Sequence, residues 1–246
     1  MKFTAKMKKP KISLFVPVYN EERILYKHIK RILSNIKKIT DNFEIIIVDD
    51  NSSDNSSDIC KKISRKIKKV CYLRYNIGPS RRENLAKSFK KARGDIIVLM
   101  DIDLSVDPMY TWRLFKEIKN GADICIGSRH IKGSYIKKTI ARRIISYFYN
   151  LFMKFYFNSR IHDHQCGFKA FKKNVVLDLV KDMGYDKKFV RGWFWDAELL
   201  MRAQKKSYKV VEFPVRWVHG QKSEFELKRE LRMIPYVLRL RKKLAS

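Results

Sequence analysis

The chain has 246 residues, of which 45% are hydrophobic, and its Lys and Arg residues outnumber Asp and Glu by 55 to 25. This length and apolar content allow a substantial core, and few Gly and Pro residues argue against extended disorder. A net charge of +30 exceeds what solubility requires, so we expect a polyanionic partner, either nucleic acid or anionic lipid. The four cysteines lack CxxC spacing and follow no signal peptide, which predicts reduced thiols in an intracellular protein.

Strands and helices alternate through the first half of the chain. Short apolar runs predict strands at residues 12–16, 44–48, 70–73, 95–100 and 124–127, and segments with helical periodicity lie at 21–36, 57–67 and 82–92. Continuous apolar runs are typical of parallel strands that are buried on both faces. We therefore predict an α/β fold that is Rossmann-like, with a mainly parallel central sheet and helices on both faces.

The alternation weakens after residue 127. An amphipathic, aromatic stretch at 136–157 is followed by a helix at 196–204, a strand at 209–215 and a basic amphipathic helix at 225–243. The most hydrophobic segment, residues 144–157, is shorter than the roughly 20 residues that a membrane-spanning helix needs. No spanning helix is predicted, but a helix lying in the membrane interface is compatible with this pattern.

Polar residues follow three predicted strands at the point where each strand ends. They are Pro17-Val-Tyr19-Asn-Glu21, Asp49-Asp50 and Asp101-Ile-Asp103. Ligands of open parallel sheets bind outside the carboxyl ends of the strands, so these segments are expected to share one cleft. Two carboxylates one residue apart suit Mg²⁺ or Mn²⁺ bound to a diphosphate. A DxD is often an ordinary solvated loop, and Asp49-Asp50 could be a turn or cap, but we assign Asp50 to a ribose or base contact.

An ordered set of motifs resembles family 2 glycosyltransferases of the GT-A fold. The motifs are Ser13-Leu-Phe-Val-Pro-Val-Tyr-Asn-Glu-Glu22, Ile47-Val-Asp-Asp-Asn-Ser-Ser53, Asn76-Ile-Gly78, Ala92-Arg-Gly-Asp95, Leu99-Met-Asp-Ile-Asp-Leu104 and Gly127-Ser-Arg129. Three further segments resemble the dolichyl-phosphate glucosyltransferase and dolichol-phosphate mannosyltransferase branch: Asp163-His-Gln-Cys-Gly-Phe-Lys169, Trp195-Asp-Ala-Glu-Leu-Leu200 and Glu212-Phe-Pro-Val-Arg-Trp217. The likeness extends over about residues 12–223.

The resemblance implies a role for each matching residue. The nucleoside would be held by Pro17, Tyr19, Glu21, Val48 and Asp50. Asp101 would bind the donor and Asp103 the metal, while Ser105 stands where many relatives have Gln and would need water or the diphosphate to complete the metal shell. The implied organisation is a basic leader at 1–11, a GT-A catalytic domain at 12–222 and a basic helix within 223–246. Residues 12–127 form the nucleotide-sugar half of that domain and 128–222 the acceptor half.

The implied acceptor is a polyprenyl phosphate, whose oxygen is already anionic near neutral pH and needs no general base to attack the anomeric carbon. The protein then mainly supplies cations, and the candidates are Arg129, Arg142, Arg143 and Lys222. Any one of these could instead be a solvated surface charge, and motif position favours Arg129. The resemblance leans towards UDP-glucose as donor.

Two acidic segments of the acceptor half have competing interpretations. Asp163 lies between His162 and His164, but three close ligands without a matching pair make a zinc site improbable, so we expect Asp163 to face the metal-diphosphate cleft. Asp196 begins a predicted helix, where it could simply stabilise the helix dipole. In relatives that glycosylate hydroxyls, an acid near this position resembles the general base, which makes Asp196 a weaker catalytic candidate.

The aromatic stretch could be core or could insert at the headgroup boundary of an anionic membrane, and basic residues flank it on both sides. The expectation is a peripheral enzyme on the cytoplasmic face of a membrane. One alternative is a transferase acting on a sugar hydroxyl, with Asp196 as the base. The other is a nucleic-acid-binding protein, motivated by the charge alone and by no recognisable module, so no nucleic acid is expected as a partner.

Overall fold

The computed structural model describes residues 11–137, 140–218 and 233–245. Helices and strands follow one another as β1 (Ile12–Val18), α1 (Glu22–Ile39), β2 (Phe43–Asp49), α2 (Ser56–Lys66), β3 (Val70–Arg74), α3 (Glu83–Ser88), β4 (Ile96–Leu99), α4 (Thr111–Lys119), β5 (Ile124–Ser128), β6 (Tyr135–Lys137), α5 (Ile140–Phe157), β7 (Lys169–Lys172), α6 (Lys173–Met183), α7 (Trp195–Lys205), β8 (Val210–Pro214), β9 (Arg216–Val218) and α8 (Ile234–Ala245).

The main sheet has seven strands in the order β3-β2-β1-β4-β7-β5-β8. Every neighbouring pair is parallel except the two that β7 makes with β4 and β5, which are antiparallel. The chain runs outward from β1 through β2 to β3 and then returns to place β4 on the other side of β1. The sheet therefore has its topological switch point between β1 and β4, where α/β folds bind ligands.

The hydrophobic core explains why the apolar runs form these strands. All residues of β2 and nearly all of β1 are buried, as expected for strands covered by helices on both faces. Helix α1 buries Leu25, Ile29, Ile32 and Ile36, which recur at helical spacing and pack against the sheet. The α/β fold with a mainly parallel sheet that the sequence predicted is confirmed.

The structure differs from the predicted elements in the second half. Helices α4 and α6 and strand β7 were not predicted, and the helix predicted from residue 136 begins at Ile140. Residues 135–137 instead form β6, which pairs with β9 in a small two-stranded parallel sheet. These short strands have little hydrophobic periodicity, because β6 is mostly exposed and their pairing is set by residues about 80 positions apart.

Helices α5, α7 and α8 enclose a second, smaller hydrophobic cluster. Its buried members include Met153 of α5, Met201 of α7 and Leu240 of α8. Part of the predicted basic helix at 225–243 is thus present as α8, and residues 219–232 lie outside the described part of the chain. Across the ranges that the structure describes, no helix combines the length and apolarity needed to cross a bilayer.

Candidate functional site

Three strand ends converge at the switch point between β1 and β4. Strand β1 runs on to Tyr19 and Glu21, β2 ends beside Asp50, and β4 ends at Leu99, two residues before Asp101. The β1–β4 pairing stops at Phe15 and Leu99, so the two chains separate beyond this point. The gap that opens there brings Glu21, Asp101 and Asp103 to one crevice, as expected from the sequence.

Asp101 projects into this crevice with its side chain 42% exposed. One carboxylate oxygen accepts a hydrogen bond of 3.1 Å from an Arg82 NH1 group. The other lies against Gly167, where a Cβ would be only 1.8 Å away. A glycine is therefore required at position 167 for the carboxylate to keep this place.

Asp103 is oriented by its own loop. The Ser105 hydroxyl donates to one carboxylate oxygen at 2.6 Å, and the Ser105 backbone N–H donates to the other at 3.0 Å. His28 of α1 donates from Nδ1 to the carbonyl of Ile102 at 2.7 Å and fixes the residue between the two aspartates. Ser105 is thus placed to hold Asp103 through both its hydroxyl and its backbone N–H, and its predicted place beside the metal shell stays a prediction.

Glu21 lies close enough to Asp101 and Asp103 for their negative charges to change its pKa. Burial and, next to it, the negative charges of Asp103, Asp54 and Asp101 together raise the pKa of Glu21 to about 7. Concentrated negative charge of this kind favours a bound cation. Within the described ranges no three His, Cys, Asp or Glu side chains converge as a complete metal cage. The two aspartates therefore fit a divalent ion that also takes oxygen ligands from phosphate and water.

Pro17, Tyr19 and Val48, which were predicted to hold the nucleoside, differ in their exposure to solvent. Pro17 and Tyr19 are partly exposed at the end of β1. The Val48 side chain is 1% exposed and belongs to the hydrophobic core, and its assignment to the nucleoside stays a prediction.

Asp50 is also buried, and its carboxylate accepts hydrogen bonds from Ser80 N–H, Ser80 Oγ and Asn84 Nδ2 at 2.6–2.7 Å. In this arrangement Asp50 anchors the loop after β3 through three hydrogen bonds, and its assignment to a ribose or base contact stays a prediction.

Asp163 does not face the cleft, which corrects the prediction that it binds the metal. Its carboxylate is fully buried and accepts two hydrogen bonds from the Arg129 guanidinium at 2.7 and 2.8 Å. Backbone N–H groups of Arg129, Gln165 and Cys166 donate to it as well. Burial alone would raise the pKa of Asp163, but the adjacent Arg129 charge and its hydrogen bonds hold that pKa well below its usual range.

The same contact changes the interpretation of Arg129. We expected Arg129 to bind the acceptor phosphate with two hydrogen bonds, but the Nε–NH2 edge of its guanidinium is bound to Asp163. Arg129 is 8% exposed, and its guanidinium lies 5.8 Å from the centre of the Trp217 ring. Bidentate binding of an acceptor phosphate by this edge is therefore excluded in the described arrangement.

Asp196 is positioned as an ion-pair centre rather than as a general base. It is 2% exposed, and its two oxygens accept hydrogen bonds from Arg82 Nε at 3.1 Å and Lys169 Nζ at 2.8 Å. Burial alone would raise the pKa of Asp196, but the charges of Lys169 and Arg82 outweigh it and lower the pKa. A carboxylate that is stabilised twice in its ionised form is a poor proton acceptor.

The remaining predicted acceptor cations are only partly placed. Arg142 and Arg143 lie in the first turn of α5, just before residues 144–157 of the same helix. Their side chains are not among those that the structure describes. Lys222 lies outside the described residues. These three assignments stay predictions.

Helix α5 has one buried stripe and one broad exposed apolar face. Ser146, Asn150 and Met153 are buried, and His164 forms a hydrogen bond with the Asn150 side chain beneath the helix. The exposed face carries large apolar residues: Ile144, Ile145, Tyr147, Phe148, Phe152 and Phe155. Phe148 is 60% exposed and Phe155 80% exposed. This six-residue face, the aromatic face, is far more apolar than an ordinary solvated helix surface.

Helix α8 lies next to α5 and carries exposed apolar residues of its own. The Arg241 guanidinium lies 4.2 Å from the centre of the Tyr156 ring, and Ile234 and Leu238 of α8 are about half exposed. Of the aromatic residues that could have been core, Tyr147, Phe148, Phe152 and Phe155 are exposed, whereas Tyr149 and Phe157 pack against the second hydrophobic cluster.

Sequence reasoning missed Arg82, Lys169 and Gly167, which surround the predicted aspartates. Gly167 and Lys169 lie within a motif that the resemblance had singled out, but their contacts depend on the antiparallel strand β7. Arg82 had no signal beyond its place in a helix rich in charged residues.

Comparison with known proteins agrees with this geometry. Residues 13–180 match Glycosyl transferase family 2. The chain belongs to this family, as its motifs predicted. Two solved structures share its fold: a Pyrobaculum calidifontis mannosyltransferase in complex with GDP-mannose and Mn²⁺ (TM-score 0.61, 18% identity, 95% of this chain and 65% of the other) and glucosyl-3-phosphoglycerate synthase from Mycobacterium tuberculosis with Mn²⁺, UDP-glucose and phosphoglyceric acid (TM-score 0.65, 15% identity, 96% and 79%). The GT-A fold is thereby confirmed.

Curated relatives confirm the predicted resemblance to the dolichyl-phosphate branch. The chain is 29% identical to glycosyltransferase AglD of Haloferax volcanii over 89% of its length, and 35% identical to dolichol-phosphate mannosyltransferase of Pyrococcus furiosus over 55%. It is 27% identical to dolichyl-phosphate beta-glucosyltransferase of Saccharomyces cerevisiae over 86% of its length and 68% of that protein. The chain spans 35% and 38% of the lengths of the first two relatives.

Proposed function

We propose that this chain is an inverting, metal-dependent hexosyltransferase that moves a sugar from a nucleotide-sugar donor to a polyprenyl phosphate at a membrane surface. The donor nucleotide would lie over Tyr19 and Glu21 in the crevice between β1 and β4. Asp101 and Asp103 would hold a Mg²⁺ or Mn²⁺ ion that neutralises the diphosphate as it leaves. The relatives include both glucosyl and mannosyl enzymes, and our proposal of UDP-glucose follows the segments at 163–169 and 195–200.

The choice of a phosphate acceptor rests on the surroundings of Asp196. The acid in the position of a general base, Asp196, is buried and doubly ion-paired, so it is poorly suited to take a proton from a hydroxyl. An acceptor phosphate needs no such proton acceptor. Its oxygen forms the bond to the anomeric carbon while the bond to the diphosphate breaks and the electron pair leaves with the nucleotide. The geometry thus disfavours the hydroxyl-acceptor alternative.

The aromatic face of α5 supports a membrane location. Burying apolar surface contributes roughly 25 cal/mol per Å², so a few large side chains entering the interface yield several kcal/mol. A net charge of +30 adds attraction to anionic lipid. The described cysteines are all free, which is compatible with the cytoplasmic face that we propose. Binding of nucleic acid has no comparable structural support, although the charge would allow it.

The decisive test of the chemistry is a donor panel. UDP-glucose, GDP-mannose and UDP-N-acetylglucosamine are each incubated with a polyprenyl phosphate and with a sugar-hydroxyl acceptor, in Mn²⁺, in Mg²⁺ and in chelator. We expect a metal-dependent product that extracts into organic solvent with the mass of a glycosylated lipid phosphate. Transfer to the hydroxyl acceptor alone would overturn the proposal.

The location is tested by sedimentation with liposomes. We expect binding to anionic vesicles that high salt weakens but does not abolish, since the aromatic face adds an apolar contribution. Phe148→Ser with Phe152→Ser should lower vesicle binding severalfold. Trp112→Ser, which removes a half-exposed aromatic side chain from α4, is the matched control and should leave binding unchanged. If the wild-type protein ignores anionic vesicles at low salt, the membrane part of the proposal fails.

A further inference from the structure

Arg82 bridges the crevice and the buried acidic centre beneath it. The residue lies just before α3, and its side chain is 5% exposed. Its Nε donates to Asp196 at 3.1 Å, and an NH1 group donates to Asp101 at 3.1 Å. One rigid planar group therefore contacts two carboxylates through two different nitrogens.

Asp196 is held in turn from its other side by Lys169. This lysine is fully buried in β7, and its Nζ donates to Asp196 Oδ1 at 2.8 Å and also to the carbonyl of Cys166. In the antiparallel register Lys169 lies opposite Leu99, two residues before Asp101. Lysines are almost never fully buried unless paired, so this contact has a strong energetic reason to persist.

The four side chains form a chain of alternating charge: Lys169, Asp196, Arg82 and Asp101. Two cations balance two carboxylates, so the group is neutral when both acids are ionised. Three members are buried, and Asp101 alone is substantially exposed to the crevice. Because the buried members are fixed by packing and by one another, they determine where the exposed carboxylate can lie.

We propose that Arg82 is a positioning residue for glycosyl transfer, which holds Asp101 in the orientation that receives the metal-bound donor, with Asp196 and Lys169 as its buried support. This inference rests on the proposed function, because it assigns Asp101 to the donor. It also gives Asp196 a role that requires no proton transfer. The other oxygen of Asp101 lies so close to Gly167 that a Cβ there would clash with it, so Arg82 and Gly167 confine the carboxylate from two sides.

A purely structural ion pair is the competing explanation, and the chain offers a matched control for it. Arg202 of α7 is also about 5% exposed and bridges two carboxylates in the same manner. Its Nε donates to Glu198 and its NH1 group to Asp182, both at 2.8 Å. Neither acid is part of the crevice. Loss of this bridge should therefore lower stability without changing donor binding.

The experiment compares Arg82→Lys with Arg202→Lys. Lysine keeps the positive charge but has one nitrogen and cannot span both carboxylates. Donor affinity is measured by calorimetric titration of UDP-glucose and GDP-mannose in Mn²⁺, and unfolding is followed by urea titration. We expect Arg82→Lys to weaken donor affinity and kcat/KM for donor about tenfold to a hundredfold, because a small misplacement at a reacting centre has effects of that size. Arg202→Lys should match the wild type in donor affinity and in kcat/KM, and should differ from it only by lower stability in the urea titration.

Asp196→Asn tests the same bridge without changing Arg82. We expect it to weaken donor binding and to leave the pH profile of kcat unshifted, whereas a general base at this position predicts normal donor binding and a lost pH limb. If Arg82→Lys fails to fold, the Asp196→Asn titration decides the question. Equal donor affinity in wild type, Arg82→Lys and Asp196→Asn would overturn the inference. A wild-type protein that binds neither donor would instead overturn the proposed function and this inference with it.

Discussion

Gly167→Ala gives a sharp test of the position of Asp101, because it leaves every charged group of the site in place. The added Cβ would lie 1.8 Å from Oδ2 and 2.5 Å from Cγ of Asp101, whereas ordinary van der Waals contact begins near 3.4 Å. The carboxylate would have to retreat by about 1.6 Å, which would also stretch its hydrogen bond to Arg82. The backbone of Gly167 has no positive φ, so alanine itself introduces no backbone strain.

A displacement above 1 Å at a group that positions a reactant costs about a hundredfold in rate, or about 2.7 kcal/mol of transition-state stabilisation. The loss of unfolding free energy should be smaller, about 1 kcal/mol, because Asp101 is a partly exposed side chain. The assay is kcat/KM for donor alongside a urea titration. Gly184→Ala is the control: an added Cβ would meet no atom within 4 Å, but the residue has φ +65° and ψ −174°, a conformation that is essentially restricted to glycine, so the change should cost about 1–3 kcal/mol of stability and no activity. Unchanged donor kinetics in Gly167→Ala would refute the placement of Asp101.

Three further predictions concern other parts of the site and its support. Asp103→Asn should abolish metal-dependent turnover while the urea midpoint stays near that of the wild type, because an amide is a poor ligand for a hard cation; activity that survives the change and chelation would contradict this. Asp163→Asn should lower the unfolding free energy by about 3–5 kcal/mol, since it leaves Arg129 buried without its counter-charge; a loss below about 1 kcal/mol would show that the pair contributes little. Burial lowers the pKa of His164 to about 4, so the folded state binds fewer protons than the unfolded state between pH 4 and 6.5, and stability should fall by up to about 1.4 kcal/mol per pH unit as the pH decreases through that window. Urea titrations of wild type and His164→Gln at pH 7 and 4.5 measure this difference, which should shrink in the variant.

The strands of the nucleotide half could be predicted because their sequences carry the signal themselves. Residues such as Phe15 and Ile46 lie in unbroken apolar runs, and such runs are buried wherever the parallel sheet places them. Strand β7 is different. Its sequence Lys-Ala-Phe-Lys is short and has charged residues at both ends, and it is a strand because β4 and β5 provide backbone partners on either side.

The candidate site shows the same division between local and distant causes. That Asp101 and Asp103 follow a buried strand could be read from the sequence, and so could their convergence with Glu21. The sequence could not show which of the acidic residues are exposed. Asp163 and Asp196 have motif positions as prominent as those of Asp101, but each is neutralised by a cation that is more than 25 residues away in sequence.

Burial separates the roles of these acids more clearly than motif position does. A carboxylate that is enclosed with Arg or Lys has a low pKa and holds its neighbours in place, whereas a carboxylate at the mouth of the crevice can bind a metal ion that in turn binds a diphosphate. Asp196 belongs to the first kind, and its contact with Arg82 transmits that fixed position to Asp101, which belongs to the second. The proposed enzyme would have an acid at the position of a general base, but Arg82 and Lys169 hold this acid ionised and make it a poor proton acceptor. This arrangement suits an acceptor that arrives already ionised, and the aromatic face of α5 would bring the chain to the surface where such a lipid phosphate resides.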